Sequence, residues 1–492
     1  MPLIPINLPP GQYRNGTEYQ SQGRWRDANL IRWHEGALRP VGGWRQRGSV
    51  DISGVVRTMV AWEDNTNNRR IAFGTHDKLY AMNSGDVVSD ITPAGFTAGR
   101  VDATAFTGFG GGPYGDDLYG LPRPDTGSVL PATTWSLDNF GEYLLGCTAD
   151  DGKIYQWQLN GGTPAAVLSN APTSCSGMMV TEERFVFAFG AGGDPRKISW
   201  SDREDNNTWT AATTNEAGDI QLQTNGVILK GLRTRGQSLI LTDQDAHAAT
   251  YSGPPYVYGF ERVGTSCGLI AANAAASVDA GVIWMGQRSF FVYSGGAVQE
   301  LPCDVADYVF SDINIDQKSK VHAVVNSRFS EIWWFYPSES STECDSYVSF
   351  DYAEQIWTTG TIDRTAGVDR GVFRQPFWIA ADGTLYEQEI GFDYGNQTPF
   401  AETGPIAIGV GEQVMSVRGM IPDENTLGDV SATFKTRFYP TDTQRDYGPF
   451  SMANPTSFRF TGRQIRMRIT GDASSDWRVG IMRLDAVAGG RR

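Results

Sequence analysis

The sequence predicts an all-β protein, and three observations predict it. First, 14 Trp, 24 Phe and 19 Tyr stand beside 57 Gly, while charged residues make up only 20% of the 492. Second, short apolar runs ending in aromatics recur between turns of Gly, Asp and Asn. Third, no strand-helix-strand rhythm separates these runs. Two β-rich runs joined by a tight polar turn make an antiparallel hairpin. One hairpin cannot bury both of its faces, so the copies must stack. Set around an axis they give a β-propeller-like array of roughly five to seven four-stranded blades, at about 40 to 50 residues per blade. A set of packed β-sandwiches would accommodate the same hairpins.

Residues 1–50 are expected to form an N-terminal extended arm. They open on M-P-L-I-P-I-N-L-P-P-G, with four prolines and no basic leader, so no signal peptide is expected. R-W-R at 24–26, R-W-H-E at 32–35 and R-P-V-G-G-W-R at 39–45 then interleave guanidinium with indole. Arg and Trp are the residue types that dominate interfaces, which makes Arg24, Trp25, Arg26, Arg32, Trp33, Arg39, Trp44 and Arg45 candidate docking residues. Base stacking on nucleic acid ranks second.

Residues 51–394 carry the hairpins. The clearest copies are V-R-T-M-V-A-W into I-A-F-G-T-H-D-K-L-Y and Y-L-L-G-C-T-A-D-D-G-K-I-Y-Q-W; seven hairpins can be read in all. The last, ending at Tyr386, offers strands that close the ring with the first. Short helices are expected at 304–311 and 269–276. Residues 106–127 combine seven Gly with three Pro, too permissive a backbone for a strand, and read as a long protruding loop. Residues 395–492 form a separate β-sandwich-like unit. In R-Q-I-R-M-R-I, alternation sends Ile465, Met467 and Ile469 to one face and Arg466 and Arg468 to the other, giving a basic outer surface.

The formal charge is −15. Residues 1–50 hold seven Arg against three acids, and residues 459–492 hold eight Arg against three Asp, which leaves an acidic middle. A general cationic grip on nucleic acid is therefore not expected, and the arginine-rich ends, including Arg478, Arg491 and Arg492, read as docking surfaces.

Chemistry-bearing motifs are sparse. The five cysteines form no C-x-x-C pair and read as buried thiols of a reducing cytoplasm. The four histidines have no metal spacing, and no G-x-x-x-x-G-K-[ST] occurs. G-T-S-C-G at 264–268 matches a nucleophile elbow around Ser266, with His322 downstream, but lies among antiparallel hairpins rather than between strand and helix. Gly110, Gly112 and Gly115 match G-x-G-x-x-G with Pro113 inside the motif, and D-I-N-I-D at 312–316 lacks the turn Gly and closing Glu of a calcium loop. No catalytic residue, cofactor or metal is expected, and the chain is read as a non-enzyme. No apolar run reaches the roughly 18 to 20 residues that span a bilayer.

The arm leading into R-P-V-G-G-W, the hairpin array with G-T-S-C-G-L and V-I-W-M-G-Q-R-S-F-F-V-Y-S-G-G, and the ending R-M-R-I-T-G-D, W-R-V-G and G-G-R-R resemble the tail nozzle, or packaged-DNA stabilisation, proteins of short-tailed bacteriophages. The resemblance implies a virion protein of the tail, assembled in the host cytoplasm. It implies a homo-oligomer, six copies around a channel, beneath a head-to-tail adaptor and in contact with fibre, spike or needle proteins. Double-stranded DNA would be retained and then conducted without sequence-specific binding, and an acidic body would let it slide. In that setting Phe109, Gly110, Gly111, Gly112 and Tyr114 are candidate gate or inter-subunit residues. The alternative is a propeller tail protein that binds or degrades host glycans.

Overall fold

Strands form where the apolar runs lie. In the computed structural model, which describes residues 3–49, 52–105, 129–407, 413–439, 441–471 and 475–490, E-I-W-W-F-Y forms Glu331–Tyr336 and is buried at every position. A strand covered on both faces has no reason to alternate. V-S-A-T-F-K-T-R, covered on one face only, does alternate between buried and half-buried positions along Val430–Arg437.

Seven four-stranded antiparallel sheets follow one another among the described residues, at 58–90, 135–167, 177–221, 228–265, 275–301, 322–361 and 366–388, the last completed by Trp44–Ser49. They are called blades 1 to 7. The first strand of each blade touches the first strand of the next, and that of blade 7 touches that of blade 1, so the blades form a closed ring: an all-β propeller. Aromatics fill the seams between blades. Phe290 of blade 5 lies 4.9 Å from Trp334 and 4.6 Å from Trp357 of blade 6. Trp333 of blade 6 meets Trp378 of blade 7 at 5.3 Å, and the indole of Trp135 in blade 2 donates to the Thr75 carbonyl of blade 1 at 2.7 Å. Gly281 allows one of the tight hairpins: its φ is +132°, and a Cβ there would run into the Tyr293 carbonyl.

The ring closes with a strand from near the start of the chain. Thr384–Gln388 pairs with Trp44–Ser49, so the segment expected as a free arm supplies the outermost strand of blade 7. The rest of residues 1–50 is also built in. Leu3–Ile6 and Trp25–Asn29 are edge strands of a two-sheet sandwich whose other strands come from residues 400–488. Its core holds Phe434, Phe458, Phe460, Met467, Ile469 and Trp477. Between these strands the chain runs along blade 6: Tyr347 Oη accepts from the Leu30 amide at 2.9 Å, and Gln12 Oε1 accepts from the Thr359 hydroxyl at 3.0 Å. The extended-arm reading is corrected accordingly. Four prolines before Gly11 favour an extended start, and Ile6, Trp25, Ile31 and Trp33 of the segment bury against its own chain.

One of the two expected helices forms, as Ala306–Asp312. Residues 269–276 do not form the other. Despite their alanines, Ala275 and Ala276 pair with Trp284 and Ile283 in blade 5, tertiary pairing overriding local propensity. No helix among the described residues is long and apolar enough to cross a membrane.

Candidate functional site

The arginine-rich ends are the first candidate, and their partners lie within the chain. Arg32 is the deepest. Its Nε and Nη2 donate to Glu331 of blade 6, both at 2.8 Å, while Nη1 and Nη2 donate to Glu389 beyond blade 7 at 3.0 and 2.6 Å. The guanidinium lies 3.6 Å from the centre of the Phe329 ring, and all three ionic side chains are more than nine-tenths buried. Trp333 donates to Glu331 at 3.0 Å, and Asn326 and the Gly42 amide donate to Glu389 at 2.8 and 3.0 Å. Burial pushes the Glu331 carboxyl up. At Glu389 burial acts in the same direction but is outweighed by Arg32, which pulls the carboxyl down.

The other named residues follow the same pattern. Arg24 pairs with Asp304 at 2.8 Å, Arg45 with Glu387 at 2.5 Å, and Arg39 and Arg478 share Asp476 at 2.9 and 3.4 Å. Arg26 donates to the Thr17 carbonyl at 3.3 Å. Arg466 and Arg468 converge with Lys435 on Glu402 at 3.2, 3.5 and 2.7 Å, and Arg466 also meets Glu18. Trp25 and Trp33 are buried 6.0 Å apart in the sandwich core, and Trp44 packs edge-on against Tyr394. Each of these residues thus has a partner within the chain: Arg24 and Arg32 tie the N-terminal segment to the propeller, Arg39 ties it to the sandwich, and Arg45 holds the strand that completes blade 7. The basic outer face at 464–471 is largely neutralised by Glu402 and Glu18. Arg491 and Arg492 lie outside the described residues.

The second candidate is the axis of the propeller, where inner strands begin. Thr58 of blade 1 accepts from Asn273, which precedes blade 5, at 2.9 Å and donates to the Trp135 carbonyl of blade 2 at 3.0 Å. Asn273 also accepts from Lys230 of blade 4 through its side chain at 3.3 Å, and from the Ala323 amide of blade 6 through its carbonyl at 2.7 Å. A second tie joins Arg233 of blade 4 to Asp138 of blade 2 at 2.9 Å, skipping blade 3. The bore is thus bridged at two levels. Burial pushes the Lys230 amine down.

The connector between blades 1 and 2 reaches over to blade 6. Arg57, buried before the first strand of blade 1, grips Glu343 with two bonds of 2.8 and 2.7 Å. Lys320, with its side chain fully buried, donates to Asp102 at 2.5 Å and Glu343 at 3.0 Å. Gln317 exchanges bonds with the Ala103 backbone, and Ser319 accepts from the Ala132 amide at 3.0 Å. These anchors fix both flanks of the glycine-rich insertion. Phe109, Gly110, Gly111, Gly112 and Tyr114 themselves lie outside the described residues. Nothing in the sequence pairs Arg57 with Glu343, 286 residues away. The one local signal is a charged residue, Arg57 or Lys320, directly ahead of an apolar run.

The motifs weighed for chemistry come apart in the fold. Ser266 has a φ of +56° but sits in an exposed turn between antiparallel blades, and Gly268 allows that turn to press against the Asp243 backbone. His322 is buried in blade 6, stacked on Phe335 at 5.1 Å, with Nδ1 facing the Lys320 carbonyl. Burial pushes it down to about 4. All five cysteines are free thiols, four of them buried and Cys303 partly so, and among the described residues no three His, Cys, Asp or Glu side chains group as a metal site.

No protein-family model and no curated protein matches the chain. Solved structures do. Virginiamycin B lyase from Staphylococcus aureus is similar at 8% identity and a TM-score of 0.42, covering 70% of this chain and 98% of its own. YCF48 bound to D1 peptide follows at 9% and 0.39, covering 71% and 97%. The Neurospora crassa Pan2 WD40 domain is similar at 10% and 0.38, covering 70% and 94%. Streptogramin B lyases, which are enzymes, are among these matches, so the expectation of a non-enzyme is not supported by them.

Proposed function

We propose that this chain is a tail nozzle subunit of a short-tailed bacteriophage, several copies of which surround a channel below the head-to-tail adaptor, retain packaged DNA and conduct it at ejection. The observation that carries the reading is the organisation of the whole chain. A propeller and a sandwich woven from both chain ends accompany the phrases R-P-V-G-G-W, V-I-W-M-G-Q-R-S-F-F-V-Y-S-G-G and R-M-R-I-T-G-D in the order that the resemblance requires.

Two physical points shape it. The bore of the propeller is bridged by Asn273 and by the Arg233–Asp138 pair, so the duplex would pass between copies and not through one. The acidic middle of the chain would face passing DNA with little attraction, since duplex DNA carries one negative charge per about 1.7 Å of axis. Electron microscopy of the purified chain, alone and with the adaptor, tests the reading. Rings with an open lumen are expected, and solitary particles under both conditions would overturn it.

A glycan-binding tail protein is the second reading. It is favoured by a cleft of about 360 Å³ between blades 1 and 2, where Asn68, Arg70, Asn83 and Ser89 face Trp157 and Leu159. Glycan-array binding that is lost on Arg70→Ala would support it.

A further inference from the structure

We propose that the seam between blades 6 and 7 binds a small monovalent anion of the chloride class, held by the guanidinium of Arg364 and the indole N–H of Trp378 where the ring of blades closes. The proposal is independent of the nozzle reading.

Arg364 lies in the link from blade 6 to blade 7 and is 3% exposed. Its guanidinium stands 4.2 Å from the centre of the Tyr386 ring and 5.0 Å from that of Trp44, the first residue of the closing strand. Nη1 donates to the Asp363 carbonyl at 2.6 Å. Nε and Nη2 are buried without a hydrogen-bond partner, and Arg364 makes no ion pair among the described residues. The buried cations Arg32, Arg57 and Lys320 each meet a carboxylate. The carboxylate of Asp363 accepts from the Ala381 amide at 3.3 Å instead.

Two more buried donors share this seam. Trp378 stands directly opposite Tyr386 in the blade 7 ladder, and Gln388 lies two residues further along, so all three occupy the face turned to Trp333 of blade 6. Side chains at such positions stand about 5–7 Å apart. Trp378 Nε1 and Gln388 Nε2 are also buried without a partner.

Buried polar groups are completed by water or an ion when protein supplies no partner. Charge and donor chemistry favour the ion. Burial pushes Arg364 down only to about 10, so it stays a cation at neutral pH, and a buried unpaired charge is costly. Guanidinium and indole nitrogens donate and cannot accept, so an occupant must accept from all of them. A water would have to turn its own protons towards the surrounding rings, whereas a halide only accepts. Enclosure excludes a carboxylate or phosphate carried by a macromolecule.

Thermal melting of the full chain in sodium chloride, against sodium gluconate at matched ionic strength, tests the site. The wild type is expected to gain about 2 °C, saturating with chloride. Arg364→Met keeps an unbranched stem along Tyr386 and removes the charge. Its melting temperature should be equal in the two salts and, in gluconate, no lower than that of the wild type. A variant destabilised alike in both salts would show an arginine kept for packing and would overturn the proposal. Wild-type crystals grown in sodium bromide give a readout that needs no variant. An anomalous peak beside Nε and Nη2 of Arg364 is expected. Water alone there, or a bromide peak in a protein whose melting ignores chloride, would overturn the site.

Discussion

Arg32 serves two carboxylates at once, and that ratio sets what its loss would do. Arg32→Ala would leave Glu331 and Glu389 facing each other with less than a tenth of each side chain exposed. Breaking a buried pair by removing one partner costs about 3–5 kcal/mol, and urea unfolding should show a loss of that size. Glu331→Gln keeps the shape and removes surplus negative charge, so its effect should stay within about 1 kcal/mol. His322 makes a prediction about pH. Burial holds it at about 4, below its ordinary 6.5, so below pH 6.5 the unfolded chain takes up a proton that the folded chain refuses. This contribution is complete above pH 6.5 and declines as pH falls, by about 3 kcal/mol once pH 4 is reached. His322→Gln should flatten the stability profile over that window by the same amount. The sequence singled out Arg32 and Trp33 as docking residues and gave no sign of the partners Arg32 has within the chain, because Glu331 and Glu389 lie 299 and 357 positions away and spacing carries no trace of such pairs.

At the scale of elements, alternation and turn chemistry were legible where a strand has one covered face, as in R-Q-I-R-M-R-I, and where a hairpin is local. Seven hairpins were read and seven blades are found, because a blade is made of neighbours in sequence. What stayed hidden was the sharing of elements across the chain. Trp44–Ser49 gives no sign in its own residues that it completes a sheet begun at Ala366. Gln46, which faces Tyr386 in that ladder, provides a test. Gln46→Pro should remove about 3 kcal/mol, by steric conflict and loss of a ladder donor. Hydrogen exchange should then quicken first in residues 366–388 rather than in blades 2 to 5.

At the scale of the molecule, net charge predicts behaviour with nucleic acid. A chain of −15 whose terminal arginines are largely occupied should not retard duplex DNA in a gel at about 150 mM salt, and a tight complex there would contradict passive conduction. The axis predicts rigidity. Asn273 ties four blades, and Asn273→Ala should cost about 1–3 kcal/mol through the groups left unsatisfied, read as a lower melting temperature with the same secondary structure. Total charge was legible in composition; its pairing was not, since the ends of the chain meet acids supplied from everywhere between them.

The strand that seals blade 7 has a consequence for how the protein comes into being. Residues 44–49 leave the ribosome early and must wait until about residue 388 has emerged before their partner exists, and Leu3–Ile6 waits until Met482–Ala488 is made. Until synthesis is nearly over, both early segments lack the strands they pair with, and the apolar Leu3–Ile6 is the kind of unpaired segment that chaperones hold and that aggregates at high expression. Slow cooperative maturation after release follows from this weave, since the longest loops in the molecule close last.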